Sequence, residues 1–186
     1  STGQGLLNVS PLQMAGVTAA IANGGTIWRP RLILNQQAQK PEPGSLTADL
    51  VKQGVKPEDL KRIRRGMWQV VNATGGTGRN AQSPIGIAGK SGTAQHQRHN
   101  DARMVVDDFT TWFLAFAPSA APRYAIAVVV ENGTAGGKTC APIAKRILEQ
   151  AITIATSGEC PVPLPGKPLK GHYEKVDAVI YPEPVK

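Results

Sequence analysis

The stretch Ile87-Ala88-Gly89-Lys90-Ser91-Gly92-Thr93-Ala94-Gln95 sets a lysine between glycine and serine, and two kinds of chemistry use that arrangement. A phosphate-gripping loop needs G-x-x-x-x-G-K-[ST] with a helix opening at the lysine. Five residues before Gly89 stands Pro84, and the GTAQHQRHND after Ser91 has no helical apolar period. Gly137-Lys138-Thr139 fails the same test, because Asn132 occupies the place of the first glycine. The other reading is a short strand: Ile85, Ile87 and Ala88 lead into it, Thr93 and Ala94 continue it, and its flanks are turn-rich. Side chains alternate along a strand, so Ser91 and Thr93 share one face and Lys90 takes the other. Lys90 and Ser91 therefore cannot work together as base and nucleophile. At a cleft, the two hydroxyls would face a ligand, Lys90 would curl round the edge with its charge, and Gly92 would let the ligand lie close to the backbone. That suits an anionic ligand docked along a strand edge. K-S-G-T alone leaves open a turn whose lysine is merely solvated.

Outward from this motif the chain alternates helix and strand signals. Ser10-Pro11-Leu12-Gln13 is a capping box with proline at the first helical position, and the helix it opens is expected to end near Ala22, at Asn23-Gly24-Gly25. Thr26 to Leu34 reads as a strand that Pro30 demotes to an edge or bulged one. Residues 35–56 read as a polar connection. Pro57-Glu58-Asp59 opens a second helix, over 57–72, with acids at its positive end and a buried stripe of Leu60, Ile63, Met67, Val70 and Val71. Gly75-Gly76-Thr77-Gly78 is a turn, and the polar segment 96–108 is expected to be a loop. Thr111–Ala117 and Tyr124–Glu131 are strands joined as an antiparallel hairpin by residues 118–123. The last helix starts near Gly137. Ala141, Ala144, Leu148, Ala151 and Ala155 repeat at helical spacing, with Ile143, Ile147, Ile152 and Ile154 widening the face for packing on a sheet. Residues 157–186 hold six prolines in thirty positions, which predicts an extended, irregular tail.

Bulk properties bound the function classes. At 186 residues the chain is one domain of ordinary size, and with 41% hydrophobic but only 5% aromatic residues its core is expected to be aliphatic and alanine-rich. The longest apolar runs are too short to span a bilayer. Most of the +8 net charge is local: residues 56–103 carry nine Lys or Arg against three acids. Nucleic acid is not expected as a partner, because Lys61, Arg62, Arg64 and Arg65 lie on a helix with no interleaved aromatic platforms. A solvated basic face, attracted secondarily to anionic polymer or membrane surface, fits better. Cys140 and Cys160 are not expected to pair. A helix over 138–156 carries Cys140 roughly 24 Å from the helix end, four residues return at most about 14 Å, and a disulfide tolerates roughly 7 Å between Cα atoms.

Several segments resemble, in order, the class B penicillin-binding proteins. These are Gly3-Gln4-Gly5, Val9-Ser10-Pro11-Leu12-Gln13-Met14-Ala15 and Ala22-Asn23-Gly24-Gly25; then Gly66 to Val71, Lys90 to Gln95 and Ala127 to Gly133; and finally Ala135 to Lys138 with Ala141 to Ala144. The likeness runs through residues 1–155, and the KSGTAQ form is most similar to the elongation-type branch, penicillin-binding protein 2. The resemblance implies an α+β fold: the C-terminal part of the transpeptidase fold shared with serine β-lactamases, an antiparallel sheet covered by a C-terminal helix, with a helical region from 11–22 and 57–72. It implies residues 1–156 as part of a transpeptidase domain and 157–186 as a tail.

The implied reaction is acyl transfer by a serine that attacks the D-Ala-D-Ala bond of a peptidoglycan stem peptide and is trapped by β-lactams. Carried over, Lys90 supplies positive potential for the substrate carboxylate, Ser91 and Thr93 hydroxyls bind it beside Gly92, and the Thr93 N–H is one donor of the oxyanion hole. A membrane anchor, a location outside the cytoplasmic membrane and cell-wall elongation proteins as partners follow from the same resemblance; no cofactor does. The family also needs S-x-x-K and S-x-N. Three residues after the seven serines stand Gln4, Gln13, Ala48, Gly86, Ala94, Pro122 and Cys160, and no asparagine sits two after any of them. The chain therefore holds no nucleophile of this type and is expected to be inactive alone, with self-association through an unpaired edge. A non-catalytic module binding cell-wall polymer or a protein partner is the alternative. His96-x-x-His99 with Asp101 lacks a third close His or Cys, so no metal is expected; His172 lies in the tail.

Overall fold

A computed structural model describes residues 8–30, 46–99 and 105–157, at 96–99 and 105–107 the backbone alone. The first helix, α1 (Pro11–Asn23), starts where its sequence says. Ser10 N–H donates to Gln13 Oε1 at 2.8 Å and Gln13 N–H to Ser10 Oγ at 3.2 Å, which closes the capping box. It stops because Gly24 adopts φ +89°, a left-handed cap, and because Asn23 Oδ1 takes the N–H groups of Gly25 and Thr26. Its inner face is small, with Thr18, Ala20 and Ala22 buried.

Strand β1 (Thr26–Trp28) pairs antiparallel with β2 (Leu46–Asp49) in a two-stranded sheet. The strand expected to run from Thr26 to Leu34 is thus seen to Trp28, and residues 31–34 lie outside the described residues. The polar connection of 35–56 contains β2, which the sequence did not signal: its leading residues are exposed, so no apolar alternation marks it. Helix α2 (Pro57–Asn72) buries Leu60, Met67 and Val71, with Val70 half-buried. Ile63, expected in that stripe, is exposed. The helix meets mainly one strand, which covers a seam narrower than a full apolar face.

The main sheet has the order β3-β4-β5, all antiparallel, with β3 (Ala88–His99), β4 (Val105–Ala117) and β5 (Tyr124–Glu131). The expected loop over 96–108 is largely a continuation of the β3–β4 ladder, which runs from Ala88↔Phe116 to His99↔Val105. β5 reaches only Thr110 on β4, so among the described residues the outer half of this ribbon has no third strand to bury it, and it keeps no period-2 apolar signal. Helix α3 (Gly136–Ser157) covers one face: Cys140, Ala141, Ala144 and Leu148 pack with Phe113, Ala115, Ala117 and Val128. On the other face Ala22 of α1 and Met67 of α2 meet Ala88 and Phe116. α1 thus covers this face, whereas α2, which meets mainly β3, sends Met67 into this cluster and Val71 into the core under α3; helices flank the antiparallel sheet, within the α+β class. Ile143, Ile147 and Ile154, expected to widen the packed face of α3, are exposed on its outside. Cys140 is a free, buried thiol whose Sγ donates to Thr111 O at 3.2 Å; Cys160 lies outside the described residues. Among the described residues, no helix is long and apolar enough to cross a membrane.

Candidate active-site strand

The β3–β4 register sets the directions of the motif side chains. Ser91↔Phe113 and Thr93↔Thr111 lie on the face that α3 covers, since Phe113 belongs to the α3 core, and Lys90↔Leu114 lies on the other. Lys90 is exposed and curls back along the edge of β3 that is open among the described residues, where its Nζ donates to Ser91 O at 2.5 Å. The Ser91 carbonyl therefore points away from β4. In an antiparallel ladder, bonded and non-bonded pairs alternate, so Gly92↔Trp112 is the bonded pair. Gly92 N, Gly92 O and Trp112 O indeed converge on one point beside Gly136. By the same alternation the Thr93 N–H points to the open edge.

Gly136 and Gly137 let α3 begin there. A Cβ on Gly136 would collide with Trp112 O and Gly92 O, and one on Gly137 with Thr77 O. Without side chains at these two positions the helix start rests on the ladder, and Gly136 N–H donates to Thr93 Oγ1 at 3.4 Å. The positive end of α3 thus sits beside Thr93. The preceding loop is pinned behind the site: Asn132, at φ +58°, gives its amide to the buried Asp108 carboxylate, at 2.8 Å to Oδ1. Asp108 also accepts from Phe109 N–H, and Gly133 N–H donates to Phe109 O.

One participant was read from sequence only as part of a turn. Thr77 brings its Oγ1 to 2.8 Å from Ser91 Oγ. Its turn is fixed by Gly78 N–H to Val70 O at 2.9 Å, and Asn80 Nδ2 ties the next residues to Gly137 O at 3.0 Å. Three hydroxyls, a helix N-terminus, an outward strand N–H and one lysine thus converge on the open end of β3, a donor-rich arrangement suited to a carboxylate. A groove of about 260 Å³ elsewhere, lined by Lys61, Arg64, Arg65, Trp68, Ser119 and Ala120, includes none of these residues. The side chains of His96, His99 and Asp101 lie outside the described residues.

An antiparallel sheet between helices, with a K-S-G-T strand on its open edge, defines the class, and the comparisons agree with it: residues 1–149 match the penicillin binding protein transpeptidase domain, and the chain belongs to this family. It is 33% identical over 159 residues to the peptidoglycan D,D-transpeptidase MrdA of Haemophilus influenzae, covering 79% of this chain and 24% of that protein. It is similar in structure to Pseudomonas aeruginosa PBP2, solved in complex with WCK 5153, with TM-score 0.66 and 36% identity over 87% of this chain and 34% of that one. Penicillin-binding protein A of M. tuberculosis, solved as an imipenem acyl-enzyme complex, matches with TM-score 0.60 and 28% identity over 81% of this chain and 32% of that one. The chain spans about a quarter of the length of the curated MrdA relatives it matches.

Proposed function

We propose that residues 1–156 are the C-terminal portion of a peptidoglycan D,D-transpeptidase domain that supplies the carboxylate-binding wall and half of the oxyanion hole, with 157–186 as an extended tail. The observation that carries this is the K-S-G-T strand at an open sheet edge in a chain of this family. In the reaction, a serine Oγ attacks the carbonyl of the penultimate D-alanine, the C–N bond breaks, and D-alanine leaves with the proton the serine gave up. An amine of a neighbouring stem peptide then attacks the acyl-serine ester; the Oγ–acyl bond breaks, the new amide forms, and the serine leaves with a proton given up by the amine. Ser91 and Thr93 hydroxyls and the Lys90 charge hold the terminal carboxylate, so the scissile carbonyl lies along β3. The outward Thr93 N–H donates to the oxyanion as the carbonyl becomes tetrahedral, usually the largest electrostatic contribution in such acyl transfers.

β-Lactams acylate the same serine, a reading that the imipenem acyl-enzyme complex of the M. tuberculosis relative supports. A serine becomes nucleophilic through an adjacent base, and S-x-x-K and S-x-N are absent from this sequence. The 186-residue chain is therefore inert alone, and the whole protein is a membrane-anchored enzyme working outside the cytoplasmic membrane with cell-wall elongation proteins. The test is fluorescent penicillin followed by denaturing electrophoresis. The chain alone should give no labelled band, and a longer chain carrying this sequence behind an S-x-x-K segment should give a stoichiometric one. Labelling of the short chain at any of its serines would overturn the division of labour, and an unlabelled long chain would favour a non-catalytic binding module.

A further inference from the structure

The contact between Thr77 and Ser91 fixes more than a turn. Ser91 Oγ carries one proton and two lone pairs. If that proton goes to Thr77, the lone pairs face an incoming carboxylate and repel it. If Thr77 donates instead, the Ser91 proton is free to point at the ligand, and the polarised hydroxyl is a stronger donor. Thr93 is arranged in the same way, because Gly136 N–H fills an acceptor site on its Oγ1 and leaves its proton for the ligand. Thr77 is also held in place. Its carbonyl is tucked under Gly137, the flanking turn is bonded to the end of α2 through Gly78 and Val70, and a β-branched side chain is stiff at χ1.

We propose that Thr77 is a positioning residue of the carboxylate site: it donates to Ser91 Oγ at 2.8 Å and so aims the Ser91 hydroxyl at the substrate or β-lactam carboxylate. This rests on the transpeptidase reading above. The measurement is the rate of acylation by fluorescent penicillin in the longer transpeptidase that carries this sequence with its S-x-x-K serine. Thr77→Val keeps the shape and loses the donor, and it should slow acylation about tenfold. Thr77→Ser, which keeps the oxygen, should recover most of the rate. In a Ser91→Ala background, Thr77→Val should have no further effect, which a merely structural role would not produce.

A thermal melt of each variant establishes its fold, and Thr77→Ala replaces Thr77→Val if the valine variant does not fold. An unchanged rate in Thr77→Val, or an equal loss with and without Ser91, overturns the proposal. Wild-type protein that is not labelled removes the transpeptidase reading and this inference together. Normal wild-type labelling without the coupling removes this inference alone.

Discussion

Thr93 has two separable duties in the proposed site. Its hydroxyl lies on the α3 side of β3 with Gly136 N–H behind it, and its own N–H points along the open edge. Thr93→Val removes the first and leaves the second. In the longer enzyme the expected outcome is acylation slowed roughly tenfold, the size of one lost hydrogen bond to a charged group, with deacylation affected less because the carboxylate is already placed. Stopped-flow acylation with a chromogenic β-lactam measures it, and an unchanged rate counts against the carboxylate role. Gly136→Ala acts on the same residues from behind. Its methyl would meet backbone oxygens, which cannot rotate away, so the start of α3 must lift from Gly92 and Thr93. Overpacking of this kind costs about 1–3 kcal/mol, and a urea midpoint equal to wild type would show that the helix start does not rest on the ladder.

At the scale of elements, what the sequence made legible follows what local chemistry decides alone. The start and stop of α1 were readable because the capping box and the left-handed glycine are local signals, as was the 124–131 strand with its hairpin partner. Four features were not. β2 has too few buried side chains to leave a period. The outer arms of β3 and β4 pair through backbone atoms beyond the reach of β5, so their polar sequence resembled a loop. Ile63 and the outer isoleucines of α3 matched a helical stripe, yet packing covers less of each helix than the stripe offers. Thr77 carried no signal, because its partner lies fourteen residues away across a fold the turn does not encode. In the candidate site, the strand faces taken by Lys90, Ser91 and Thr93 were legible from alternation, whereas the contacts behind them were not. Those contacts are testable at Asp108, which holds Asn132 and the Phe109 N–H. Asp108→Ala should cost about 1–3 kcal/mol in chemical denaturation, as expected when donors lose a buried partner. Ser10→Ala, which removes only the exposed cap of α1, should cost about 1 kcal/mol. A reversed ranking would mean the loop before α3 is held by other contacts.

For the molecule as a whole, two surfaces invite a second copy, and magnitudes decide between them. Among the described residues, the outer edge of β5 pairs with no strand, and Ile143, Ile147 and Ile154 form an exposed apolar row on α3. Pairing two β5 edges exchanges bonds to water for bonds between chains, a net gain of only about 0.5–1.5 kcal/mol each, and it orders both strands. Fully burying an isoleucine is worth about 1.5–3 kcal/mol. Three half-exposed ones on each copy retain roughly half of that, with no directional requirement. The isoleucine row should therefore dominate, and the net charge of +8 should weaken association at low salt by repulsion between copies. The expectation is that the isolated 186-residue chain self-associates as concentration rises in sedimentation velocity at moderate salt. Ile143→Glu combined with Ile147→Glu should return it to monomer, whereas Ile63→Glu on α2 should not. A double variant that still associates would assign the contact to the β5 edge, and a wild-type chain that stays monomeric at high concentration would sink the prediction for both surfaces.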